Sequence, residues 1–329
     1  VTPSRLNQGL ILLCVFAVIG ACLYGSTTLE ASRVLRALVG GGDPADVIVV
    51  WQIRLPRAFA ALIVGFTLGI CGAALQGLLR NPLAEPGVLG VSASAALGAT
   101  TAIYYNLVLV SPWILPLASI VGALGSTALL ALAATRNAPV ITLLLIGVGL
   151  SAFAGALMSL LLNLAPTPFS LADMINWSLG SVANRSFSDL ILASPFLAVG
   201  IALLMLGRSG LVLLSLGEES ALAAGLNVRG LRILIVAGTG LAVGAAVSLA
   251  GAIGFVGLIA PHLVRPLVGY DPGRTLLSSG LLAGLLLVLA DMGIRALHTT
   301  VELNLGVVAA LGGAPVFVWI ILRRGRSLA

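Results

Sequence analysis

Lysine is absent from this sequence, and charge of either sign is scarce: only 9% of the 329 residues are charged, against about 25% in soluble domains. With 59% of its residues apolar, the chain cannot coat a water-soluble globule of this length with polar side chains. Histidine is nearly missing too. His262 and His298 are the two present, neither in a HExxH or other ligand spacing, so the sequence offers no metal site. No serine has a recognisable histidine partner, which disfavours intramembrane proteolysis. Cys14, Cys22 and Cys71 all fall within apolar runs and read as small apolar filler, not as a disulfide framework. The basic residues, 17 against 11 acidic for a net charge of +6, are scattered singly between apolar runs. They form no stripe or tail of the kind that nucleic acid requires.

What is present is apolar sequence in long blocks. A transmembrane β-barrel would alternate polar and apolar residues in segments of about ten, whereas these blocks are apolar on every face. The remaining class is an all-α polytopic membrane protein, its spans about 20 residues each. Charge-free gaps measure them. Leu6 to Leu29 and Ala58 to Leu79 each hold one, and Pro86 to Thr135 holds two with a break around Ser111-Pro112-Trp113. Asn137 to Ala172 holds one and a following loop, and Leu190 to Gly207 holds another. Ile233 to Val264 reads as a full helix to about Leu249, Gly-rich backbone, and a short helix from about Phe255. Thr275 to Ala296 and Leu303 to Leu322 bring the total to about ten spans. Leu6 to Leu29 exceeds a signal-peptide core and no A-x-A site closes it, so it reads as the first helix.

Ten spans put both termini on one side, and the positive-inside rule chooses the cytoplasm for it. That side then holds Arg5, Arg80, Arg136, Arg208, Arg229, Arg232, Arg265, Arg274, Arg323, Arg324 and Arg326, leaving Arg33, Arg36, Arg54, Arg57, Arg185 and Arg295 outside. An offset of 175 positions superposes Arg57 on Arg232, Gly65 on Gly240, Gly69 on Gly244 and Pro86 on Pro261. The two helices so matched run in opposite directions, the geometry of an inverted-topology repeat. The chain reads as a single transmembrane domain, 1–329, with repeat units of about 57–164 and 232–322. Gly65, Gly69 and Gly72 line one face of their helix, as close helix packing demands.

Inverted repeats and broken helices also build secondary transporters, but ion coupling commonly uses intramembrane carboxylates. Asp291 is the single acid expected within a span, and Arg295 one turn on can pair with it. Two exposed segments carry capping-box signals: Thr27 to Leu38, opening on Thr27-x-x-Glu30 at the outer surface, and Ser215 to Arg229, opening on Ser215-x-x-Glu218 in the cytoplasm. Gly225 marks a helix stop in the second. A short helix with Glu218 and Glu219 on an Arg-rich face suits contact with another protein.

Five strings, in order, carry a resemblance that spans nearly the whole chain: Val50-Trp51-Gln52-Ile53-Arg54-Leu55-Pro56-Arg57, Asn81-Pro82-Leu83-Ala84-Glu85-Pro86-Gly87, Leu216-Gly217-Glu218-Glu219-Ser220-Ala221, Gly251 to Leu258 with Pro261-His262, and Gly313-Ala314-Pro315-Val316-Phe317. The sequence resembles the permease subunits of ABC importers for iron siderophores, haem and cobalamin. That resemblance implies a homodimer in the bacterial inner membrane around a central path, with two cytoplasmic ATPase subunits and one periplasmic binding protein. It implies no cofactor in this chain and no enzymatic activity, ATP and Mg being bound by the ATPase. It assigns Leu216, Gly217, Glu218, Glu219, Ser220, Ala221, Ala224 and Gly225 to ATPase coupling, and Arg54, Arg57 and Arg295 to docking of the binding protein. A cytoplasmic gate is implied at Asn81 and Leu83 and at Asn137 and Ala138, where the cobalamin permeases carry small hydroxyl residues instead. The Asn81 to Gly87 string sides with the haem and cobalamin branch, and haem is the expected cargo.

Overall fold

In lipid every backbone N–H and C=O must be satisfied within the protein, and among the described residues of the computed structural model the answer is helical throughout. These residues are 3–25, 29–87, 89–136, 140–297 and 303–325. Helix α1 (Pro3–Leu23) is followed by two short helices, α2 (Ala31–Leu38) and α3 (Pro44–Ile48). A π-helical turn, Val49–Arg54, then leads without interruption into α4 (Leu55–Leu78). Next come α5 (Val91–Tyr104), α6 (Ile114–Thr135), α7 (Val140–Asn163), α8 (Pro168–Leu179) and α9 (Phe187–Leu206). Two short helices, α10 (Arg208–Leu214) and α11 (Glu218–Ala223), precede α12 (Val228–Ala250) and α13 (Val256–Val264). The chain closes with α14 (Pro272–Ala296) and α15 (Leu305–Gly325). Among the described residues seven helices are long and apolar enough to cross a membrane, and α5, α13 and the Leu305–Val318 part of α15 are further apolar helical stretches.

Helix starts are written locally. Thr167 Oγ1 accepts from Ser170 N–H ahead of α8, Asn227 Oδ1 from Gly230 N–H in α12, and Asp271 Oδ1 from Arg274 N–H in α14. Ser186 and Asp189 form a reciprocal capping box on α9. Each side-chain oxygen satisfies an N–H that has no carbonyl one turn earlier. The segment read as a loop after α7 is helical instead, because Pro168 and the Thr167 cap start α8 there.

The centre of the bundle belongs to α4 and α12, whose apolar windows are each 78% buried against 17% in α7. Helix α4 lies along α14 and α12 along α6. Matched glycines make both contacts. A Cβ on Gly65 would stand 2.5 Å from Ala283 O, and one on Gly69 would overlap Ser279 O. On the other side a Cβ on Gly244 would come within 2.8 Å of Ala123 Cβ, and one on Gly240 would overlap the Thr127 side chain.

Between α12 and α13 the chain leaves the helix, with Gly251 and Phe255 both at φ +67°. Backbones meet here without intervening side chains. Ser181 N–H donates to Ala250 O at 2.7 Å and Gly306 N–H to Gly180 O at 3.0 Å, tying the residues after α8 to the end of α12 and the start of α15. Cys14, Cys22 and Cys71 are buried and free.

Gly72 faces α13 so closely that a Cβ would overlap the Gly257 carbonyl, whereas Gly149 has nothing within 4 Å. Gly72→Ala should therefore lower stability at or above the top of the about 1–3 kcal/mol range for overpacking. Gly149→Ala should be neutral or stabilising by up to about 1 kcal/mol. Melting in detergent reads both, and equal melting temperatures would remove the close-packing argument.

Candidate functional site

At the end of the bundle where α4 begins, the charged residues turn inward. Arg57 Nε and Nη2 donate to Asp291 Oδ1 at 2.9 and 2.7 Å, and Arg295 Nε lies 3.1 Å from Asp291 Oδ2. The same Arg295 donates through Nη1 to Ala21 O and Tyr24 O at 2.9 and 2.6 Å. Arg54 Nη1 donates to Cys22 O at 2.7 Å and Leu23 O at 3.3 Å. These carbonyls end α1 and have no intrahelical partner, and they form the negative pole of its dipole. Arginine is suited to this position because its planar fork reaches several acceptors at once.

This corrects the expectation that Arg54, Arg57 and Arg295 present their guanidinium groups on the outer rim. Arg54 is 3% exposed, and the side chains of Arg57 and Arg295 are 13% and 8% exposed. They hold α1, α4 and α14 together. The expected Arg295–Asp291 pair is present, but Arg57 shares the same carboxylate. Exposed charge at this end lies on α2: Arg36 is open, and half-exposed Arg33 donates to Asp46 at 2.7 and 2.9 Å. Thr27 lies outside the described residues, and α2 begins after Glu30 without a side-chain cap.

At the opposite end the Asn81 to Gly87 turn meets the start of α13. Asn81 Oδ1 accepts from Leu83 N–H at 2.9 Å, and Ser151 of α7 donates to Gly87 O at 2.9 Å. Burial pushes the Glu85 carboxyl above the ordinary carboxylate range, against the opposing effect of the Phe255 backbone. Two of the marked strings thus lie side by side, with Pro86 Cδ 3.7 Å from where a Cβ on Gly257 would stand. Leu83 is exposed, while Asn137, Ala138 and His298 lie outside the described residues. His262 is buried, with Phe317 edge-on at 6.5 Å between ring centroids. Gln76 in α4 receives a hydrogen bond from Arg265 and donates to Leu258 O, a pairing that sequence reading missed.

Helices α10 and α11 form a projecting elbow at this end. The Ser215 capping box does not form, because the Ser215 hydroxyl donates back to Val212 O and Gly217, at φ +112°, starts α11. Gly225 ends it as expected: at φ +83° it lets Leu226 N–H return to Ala221 O, a Schellman closure. Glu218 accepts from Arg232 at 2.9 Å. Ala221 is buried, whereas Leu216, Glu219, Ser220, Leu222 and Ala224 are exposed. An apolar pair, Leu216 and Leu222, on a projecting acidic elbow can receive another protein.

The model of the FecCD transport family matches residues 11–323. The chain is 42% identical over 316 residues to the vitamin B12 import system permease protein BtuC of Klebsiella pneumoniae, covering 93% of this chain and 95% of that one. It is 39% identical over 298 residues to the uncharacterized ABC transporter permease protein YvrB of Bacillus subtilis, covering 88% and 84%. Among solved structures, an inward-facing conformation of a metal-chelate type ABC transporter superposes with a TM-score of 0.86 at 32% identity, covering 98% of this chain and 99% of that one.

Because Asp291 is 1% exposed and faces two guanidinium groups, Asp291→Asn leaves both without their counter-charge. The expected loss is about 3–5 kcal/mol, the range for breaking a buried ion pair, read as a lower melting temperature and a smaller monodisperse fraction in detergent. Asp291→Glu keeps the charge and should lose less. Equal losses in the two variants would show that charge is not what the site uses.

Proposed function

This chain belongs to the FecCD transport family, and from that premise we propose that it carries a tetrapyrrole-type metal chelate across a bacterial inner membrane, vitamin B12 ahead of haem. It is a multi-pass membrane protein and the permease subunit of an ABC importer, a transport component and not an enzyme. Such permeases work with ATPase and binding-protein partners. The observation that carries the cargo reading is the 42% identity extending over 95% of a vitamin B12 permease. Haem, the cargo expected from the sequence, is the second reading, and a ferric siderophore the third.

In this reading two copies enclose the path, each meeting a cytoplasmic ATPase that binds ATP and Mg, and a periplasmic binding protein sits on the opposite face. Both termini are cytoplasmic, as the arginine distribution suggests. The reciprocal packing of α4 on α14 and α12 on α6 supports repeat units of about 57–164 and 232–322. The coupling surface is the exposed part of α10–α11, Leu216, Glu219, Ser220, Leu222 and Ala224, with Glu218 anchored by Arg232 and Gly217, Ala221 and Gly225 shaping the elbow. Asn81 and Leu83 stand at the cytoplasmic gate, with Asn137 and Ala138 as its second side. Arg54, Arg57 and Arg295 brace the docking face from beneath, and Arg36 on α2 offers the surface charge.

Two experiments test this. Reconstituted with its ATPase and binding protein, the permease should drive ATP-dependent uptake of vitamin B12 in preference to haem and a ferric siderophore. Preference for either rival would replace the cargo, and uptake by this chain alone under an ion gradient would overturn the importer assignment. Leu222→Arg, an exposed change, should leave melting within about 0.5 kcal/mol of wild type yet cut ATPase co-purification about tenfold or more if the elbow is an interface anchor. Unchanged co-purification would take the ATPase away from this surface. Ala221→Trp should instead destabilise the fold by about 1–3 kcal/mol, since Ala221 is buried.

A further inference from the structure

The end of the bundle that carries Arg54 also holds a cavity that no role above uses. Phe187, at the start of α9, marks the location: its ring lies 6.4 Å from Trp51 and 6.3 Å from Phe59. The cavity measures about 630 Å³ and is lined by Asp173, Asn176 and Trp177 of α8, by Arg185 in the turn after it, and by Asn304 ahead of α15. Volumes of about 300–1,000 Å³ are usual for sites that hold small molecules.

Arg185 is the distinctive wall residue. Its guanidinium carbon stands 4.9 Å from the centroid of the Trp177 ring, a cation–π contact that restrains the fork at the cavity wall. Arg185 Nε is buried without a hydrogen-bond partner, as is Trp177 Nε1, and among the described residues Arg185 makes no ion pair. The nearest acid acting on it is Asp189, whose carboxylate already accepts from Ser186 N–H and Oγ–H. Burial disfavours the guanidinium charge, yet arginine does not deprotonate in proteins, and among the described residues no acid closes an ion pair with it. A buried N–H without an acceptor, as at Arg185 Nε, is costly until it is paired. The wall behind it is rigid: Gly180 and Ser181 are hydrogen-bonded to Gly306 and Ala250, so the fork is in place before anything arrives.

We infer that this cavity binds an anionic oxygen group, a carboxylate or phosphodiester, on the rim of the transported chelate. Arg185 is the two-pronged donor, and Asn304 and Asp173 meet amide or hydroxyl groups beside the anion. The inference rests on the chelate reading above and adds the chemistry by which the permease holds its cargo at this end of the path.

The test introduces one thiol, Asn176→Cys, on exposed helix at the cavity wall; the three native thiols are buried. The complete transporter is reconstituted in neutral-lipid vesicles, and alkylation is timed with vitamin B12 against cobinamide, which lacks the phosphodiester, and with haem against its dimethyl ester. In at least one pair the member that carries the anionic group should slow alkylation about tenfold more than the member that lacks it, the weight of one charge-assisted hydrogen bond. Arg185→Gln should erase that difference and Arg185→Lys should restore part of it. Equal protection within both pairs, or a difference that survives Arg185→Gln, would overturn the inference. Protection by phosphatidylglycerol vesicles with no chelate added would reassign the anion to a lipid headgroup and also overturn it. If neither chelate is transported by wild type but the anionic member still protects through Arg185, the cargo reading fails and the anion site stands.

Discussion

A glycine that faces a carbonyl on the next helix lets two backbones approach closer than any side chain allows, and in lipid that approach has to supply the cohesion that hydrophobic burial supplies in water. Gly65 and Gly69 against α14, Gly72 against Gly257, and Gly240 and Gly244 against α6 are the places where this happens here. They occupy the two central helices, so every outer helix is positioned by reference to them. The lightly buried α7, by contrast, leaves Gly149 and Gly155 with nothing within 4 Å, where no neighbour demands a small residue.

The second constraint is electrostatic, and it is settled at the helix ends. An apolar bundle has few places to put a charge, and the acceptors it leaves over are the last carbonyls of each helix. Arg54 and Arg295 take the carbonyls that end α1, and Asp291 offsets the positive charge so gathered. The result is a polar knot made of three distant segments. Arginine alone could make it, because it combines a permanent charge with several directed donors.

Much of this was legible in the sequence because membrane insertion depends on hydropathy and charge, which are local quantities. The charge-free gaps located α1, α4, α6, α7, α9, α12 and α14, and the Gly-rich run after Leu249 located the break before α13. Gly225 was readable as a helix stop because a positive φ favours glycine. Other features were not local. The Arg57–Asp291 pair joins residues 234 positions apart, and no spacing rule reaches so far. Helix α8 was hidden because a helix of 12 residues is too short to register as a span. Ala221 was expected on a contact face, yet α11 has 6 residues, under two turns, and so short a helix has no periodicity from which a face can be read. Ser215 satisfied the capping-box pattern, but its hydroxyl had a nearer carbonyl in α10.

The junction of Gly180, Ala250 and Gly306 has a mechanical meaning. Three segments that belong to different parts of the chain are joined there by main-chain hydrogen bonds, with no flexible side chain between them to act as a hinge or a cushion. Any shear applied to α8 is handed to the end of α12 and the start of α15 with no slack. The junction behaves as a rivet in a linkage, and it takes in the stretch just after α12 as well, since a Cβ on Gly180 or on Gly306 would crowd Ala252 O and one on Gly251 would overlap Trp177 O.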